Sequence, residues 1–152
     1  MRNFLLWLHI AIAIVAFGPT FTFPIWTAMA RKAGGPVVPY AVGTVKLVFE
    51  RVIVPLAVVM PFTGVLLIYQ SSWDLWREGW LVAGIVLYTI MFTIGVGLGL
   101  PNVRRMLALM AAGPGPNEMT EIQARANRQK LFGYTNNVLV LAIVYLMVAK
   151  PG

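Results

Sequence analysis

Cysteine is absent from this chain of 152 residues, and histidine occurs once, at His9. The first absence removes disulfides, thiolate metal sites and cysteine nucleophiles. The second sends any imidazole chemistry through a single ring. Acids are nearly as scarce, with five in all: Glu50, Asp74, Glu78, Glu118 and Glu121. No paired carboxylates, nucleophile–base pair or phosphate-cradling loop appears among them. The glycine run from Gly95 to Gly99 sits inside an apolar stretch rather than between a strand and a helix, which rejects a dinucleotide reading. Enzymes built on those devices are thereby excluded.

Apolar length is what the chain has in excess. Hydrophobic residues make up 59% of it and charged residues 11%. A water-soluble domain of that composition could not cover its surface with polar groups. A bilayer removes the requirement. Four stretches approach the roughly 20 apolar residues that a span needs: 4–30, 47–73, 79–103 and 131–149. The expectation is an all-α integral membrane four-helix bundle, one transmembrane domain covering 1–152. Ala28-Met29-Ala30 resembles a signal cleavage site, but the apolar run before it is far longer than the roughly 7–15 residues of a signal h-region. The first stretch therefore reads as an uncleaved anchor. Pro19 and Pro24 are natural kink sites in it, and Pro55, Pro61 and Pro101 recur in spans two and three. Freed carbonyls beside these prolines need outside donors, for which Thr20, Thr22 and Thr63 are near enough.

The net charge of +7 might suggest nucleic acid, but the basic residues are placed by topology instead. Arg31, Lys32, Lys46 and Arg51 join spans one and two. Arg104, Arg105, Arg125, Arg128 and Lys130 join spans three and four. Nine of the twelve basic residues thus lie on one side, which the positive-inside rule makes cytoplasmic, with both termini outside. The expected location is the inner membrane of a bacterium, crossed several times. Trp7, Trp73, Trp76, Trp80 and Tyr145 are expected to ring the outer interface, and Trp26, Tyr40 and Tyr134 the inner one. The loop 111–130 opens on Gly113-Pro114-Gly115-Pro116, which breaks a helix. Thr120 and Gln123 then have capping-box spacing, opening an amphipathic helix that lies on lipid or extends span four.

Helical spacing gathers small and polar residues into stripes. His9, Ala13, Ala16, Thr20 and Thr27 share one face of span one. Gly84, Tyr88, Met91, Gly95, Gly99 and Asn102 share one in span three, and Asn136, Val140, Ile143 and Met147 one in span four. Such faces turn into a bundle. Gly95 and Gly99 have GxxxG spacing, for internal packing or for a dimer contact. Asn136 reads as interhelical glue, and Glu50 as an ionic lock on Arg104 or Arg31 beside a snorkelling Arg51. Alternating helix directions put His9, Tyr88 and Met147 at one depth. That trio suits haem iron, a proton shuttle or a quinone carbonyl, or a structural hydrogen bond for the histidine.

His9 within WLHIAIAIVAFGP, Pro24, the Arg51, Pro55 and Gly64 progression, and the closing LAIVYLMVAKPG together resemble a superfamily of small bacterial membrane proteins. It includes the HemJ-type protoporphyrinogen oxidases, the membrane domain of CopD-type copper-resistance proteins and an uncharacterised four-span family of predicted integral membrane proteins, to which the chain is most similar. The HemJ-type resemblance implies a b-type haem on His9. That family also carries a lysine early in span three. Here Trp80-Leu81 is followed by Val82, Ala83 and Gly84, which weighs against porphyrinogen oxidation and leaves haem or porphyrin binding open. The copper resemblance offers only His9 and the methionines. The leading expectation is therefore a haem- or porphyrin-binding membrane protein. The alternatives are an accessory subunit of a larger membrane complex, a homo-oligomer, or a small transporter.

Overall fold

The computed structural model describes residues 1–71 and 77–150. Four long helical spans run antiparallel, at Arg2–Ala33, Val37–Ser71, Gly79–Ala111 and Pro116–Ala149. Span one is α1 (Arg2–Phe17), a 3-10 turn (Gly18–Phe21) and α2 (Phe23–Ala33). Span two is α3 (Val37–Val48), a π-helical turn (Phe49–Ile53) and α4 (Val54–Ser71). Span three is α5 (Gly79–Phe92), a π-helical turn (Thr93–Gly99) and α6 (Leu100–Ala111), and span four is the unbroken α7 (Pro116–Ala149). Both termini lie at one end. The hairpins at Gly34–Gly35 and Gly113–Gly115 lie at the other, where Gly34 and Gly113 take positive φ angles of 70° and 74°. Only glycine takes that backbone without a steric penalty.

Proline explains each break in the helical ladder. Pro19 lies inside the 3-10 turn, and Pro55 and Pro101 each stand two residues after a π turn ends. A proline ring collides with the carbonyl four residues back and offers that carbonyl no N–H. Widening the preceding turn to i→i+5 bonds relieves both, as the Val54 N–H reaching the Phe49 carbonyl shows. Pro61 leaves α4 intact, with a different remedy described below.

Spans one and two pack along α1 with α4 and along α2 with α3, and spans three and four along α5 and α6 with α7. Spans two and three approach closely over α3 and α6, at the hairpin end. At about 1.5 Å per residue these spans reach roughly 50 Å, against about 30 Å of hydrocarbon. The surplus lies at the basic hairpin end, and a separate core fills it: Val42, Val103, Met106, Leu109, Ile122 and Ala126. There the hydrophobic effect acts as it does in a soluble protein, at about 1.5–3 kcal/mol for each large side chain buried. Within hydrocarbon that drive is gone, and close packing has to replace it. Outward-facing Ile14, Val65 and Val138 are accordingly more than half exposed.

Two sequence expectations change here, and one open alternative closes. The Thr120 capping box does not form: α7 begins at Pro116, and the Thr120 hydroxyl donates to the Pro116 carbonyl from inside the helix. Proline presets φ for a first turn, and Glu118 in that turn faces the positive end of the helix dipole. The segment 116–130 is thus the extension of span four. Trp80 is not an interface anchor but buried, its indole N–H 2.7 Å from Glu78 Oε2 and Lys150 Nζ 5.6 Å from its ring centre. Trp7, Trp26, Tyr40, Tyr134 and Tyr145 are exposed as an aromatic belt requires, while Trp73 and Trp76 lie outside the described residues.

Candidate functional site

His9 sits two turns along α1, half-buried against α4. Its Nδ1 lies 2.7 Å from Thr63 Oγ1, and that oxygen lies 2.8 Å from the Met60 carbonyl. The hydroxyl has one proton, and the carbonyl can only accept. Thr63 therefore donates to Met60 and accepts from His9, which places the imidazole proton on Nδ1. Thr63 is buried, so the relay is shielded. Nε2 keeps its lone pair and has no hydrogen-bond partner among the described residues. It is also not sealed in the interior, unlike Asn136 Oδ1. Gly64 lines the ring, with His9 Cε1 3.6 Å from where a side chain would begin.

Tyr88 has a different task. Its hydroxyl donates to the carbonyl of Ala57, a residue 4% exposed. Ala57 stands four before Pro61, so this is the carbonyl whose helical donor the proline removes. The expected rescue by Thr63 passes instead to a tyrosine on another span. Tyr88 also meets the Phe17 ring edge-on, with centres 6.4 Å apart. Phe17 lies eight residues beyond His9, or about 12 Å along the helix. Met147 packs its methyl against Gly84, 3.1 Å from where a Cβ would stand. The contacts of His9, Tyr88 and Met147 are thus with Thr63, Ala57 and Gly84 respectively, and no hydrogen bond joins the three. The donor set for an iron atom at this position is one imidazole nitrogen.

The remaining candidates are packing and locking groups. Gly95 and Gly99 are buried inside the bundle: Asn136 Nδ2 and the Phe49 ring fill the space beside Gly95, and Gln129 that beside Gly99. Their spacing therefore serves spans two and four of the same chain. Asn136 Oδ1 is buried without a partner among the described residues. Glu50 accepts two bonds from Arg104, at 2.7 and 2.9 Å, and one from Lys46 at 2.8 Å, tying span three to span two. Arg51 is exposed. Sequence reasoning missed the hub of the hairpin end, Asn102, which had been only one member of a stripe. Buried at 6% exposure, it donates to the Arg125 carbonyl and to Gln129 Oε1, both at 3.0 Å, and lies 3.3 Å from Arg125 Nη1. An asparagine closing a stripe of glycines was the available signal.

A four-span, all-helical bundle built this way matches one family profile over residues 3–151, described as Predicted integral membrane protein (DUF2269). The chain belongs to that family. No curated protein and no solved structure matches it. The DUF2269 assignment makes the chain an integral, multi-pass membrane protein in contact with the lipid bilayer.

Proposed function

We propose that this DUF2269 chain binds a b-type haem, or another iron porphyrin, through Nε2 of His9. The observation that carries the reading is the Nδ1–Thr63–Met60 relay. A histidine that ligates iron uses one nitrogen and donates the other N–H to a protein acceptor, which fixes ring and tautomer together. Here the acceptor is in place and the second nitrogen is unpartnered. Gly64 leaves the ring edge uncrowded. An iron porphyrin held there would supply electron-transfer or small-ligand chemistry. His9 would supply the bond, while Thr63 would hold the imidazole angle and keep the proton on Nδ1.

Reduced-minus-oxidised spectra of the protein purified from native membranes test this. The expected result is a Soret and an α-band that disappear in His9→Ala and shift in Thr63→Val. Colourless protein, or bands unchanged in His9→Ala, would overturn it.

A second reading, as an accessory subunit of a larger membrane assembly or a homo-oligomer, draws on span four. Beyond Gly133 its one buried residue is Val140, while Val138, Leu141, Tyr145 and Val148 face outward at spacings of three and four. Native mass determination in mild detergent separates the two, because a bare monomer counts against the subunit.

A further inference from the structure

The hairpin end contains a groove of about 290 Å³ between spans three and four, lined by Arg105, Arg125 and Arg128 and by Leu98, Pro101 and Phe132. Its charge is unbalanced. Glu121 is the carboxylate within reach, 2.8 Å from Arg125 Nε and 3.7 Å from Arg105 Nε. Arg128 is exposed and makes no hydrogen bond or ion pair among the described residues. Three guanidiniums against one carboxylate leave a net charge near +2.

Its polarity also has a direction. Along span three, Leu98 and Pro101 lie on the membrane side of Arg105. Along span four, which runs the opposite way, Phe132 lies on the membrane side of Arg125 and Arg128. The apolar lining therefore points into the bilayer and the cationic lining away from it, on both walls. Only an amphiphile with its head at the interface and its tail in the hydrocarbon matches that gradient. A soluble anion has no use for the apolar half.

We infer that this groove binds an anionic phospholipid of the leaflet on the basic side. The phosphate is held by Arg105 and Arg128, and the acyl chain runs over Leu98, Pro101 and Phe132. Guanidinium forks match phosphate oxygens in pairs, and basic pockets between helices at this depth suit anionic headgroups. Arg125 contributes from a fixed position, because Glu121 and Asn102 already hold its side chain. A volume of about 290 Å³ lies at the small end of ligand pockets, which suits a headgroup whose chains continue along the protein surface.

The test uses the full chain in detergent micelles. Phosphatidylglycerol, phosphatidylcholine or inorganic phosphate is added, bound lipid is counted by native mass spectrometry, and Tm is followed. Phosphatidylglycerol should remain bound and raise Tm by several degrees, with at least tenfold preference over phosphatidylcholine. Arg105→Gln/Arg128→Gln should abolish that preference. Arg31→Gln/Lys32→Gln, which removes the same charge from the neighbouring hairpin, should keep it. Arg128→Gln alone breaks no internal bond, so it reports even if the double variant misfolds, and it should weaken binding several-fold. Equal loss in both double variants would reduce the effect to surface charge and overturn the inference. So would unaltered binding in the Arg128 variant, or an equal Tm rise with inorganic phosphate. His9 spectra are independent of every arm.

Discussion

Replacing Tyr88 by Phe removes one hydroxyl, and the structure specifies which group then suffers. The Ala57 carbonyl is buried and cannot be served by its own helix, because the residue four positions on is Pro61. Interhelical hydrogen bonds in membranes average about 0.6 kcal/mol and reach about 1.7. A carbonyl left with no donor in hydrocarbon lies at or above the upper figure. Tyr88→Phe should therefore destabilise the protein by about 1.5–2 kcal/mol, on the order of a tenfold shift in the folding equilibrium. Pro61→Ala restores an N–H at position 61, which the Ala57 carbonyl accepts in the ordinary i→i−4 pattern. In that background Tyr88→Phe should cost only a few tenths of a kcal/mol, giving a coupling of about 1.5 kcal/mol. The assay is reversible unfolding in mixed micelles with increasing denaturing detergent, followed by circular dichroism for all four members of the cycle. Equal costs of Tyr88→Phe in the two backgrounds, within about 0.3 kcal/mol, would refute the reasoning.

Gly95→Ala introduces a Cβ 3.0 Å from Asn136 Nδ2 and 3.3 Å from Phe49 Cζ, and should cost about 1–3 kcal/mol by overpacking. Gly43→Ala meets nothing within 4 Å and should be neutral or stabilising by up to about 1 kcal/mol; the same unfolding assay compares them, and equal effects would contradict the packing account. Asn102→Ala releases Arg125 and Gln129 together and should cost about 2 kcal/mol. Hydrogen exchange should quicken over residues 116–130 and stay unchanged over 137–147, so a uniform increase would show that the hub is not local.

How far the chain could be read in advance varies with the kind of feature. Four spans were legible because each is a long apolar run, and the bilayer demands that every backbone group inside it be paired. The inward face of span three was legible too: Gly84, Met91, Gly95, Gly99 and Asn102 recur at helical spacing, and all five are buried. Charge and depth marked Glu50 as an ionic lock but were too coarse to choose between Arg104 and Arg31; the structure pairs it with Arg104. Trp80 misled because an aromatic near a span end has the same local signature whether it faces lipid or a neighbouring helix.

Composition and periodicity alone determined a helical, multi-pass membrane protein, its basic end, the faces that turn inward and the single histidine through which imidazole chemistry must pass. They did so because hydropathy and spacing are properties of one helix at a time. Tertiary structure alone decided the register between helices. One turn of slip moves a side chain by about 5.4 Å and changes its partner. That register gives His9 to Thr63 and the Ala57 carbonyl to Tyr88, and it aligns three arginines from two spans along one groove.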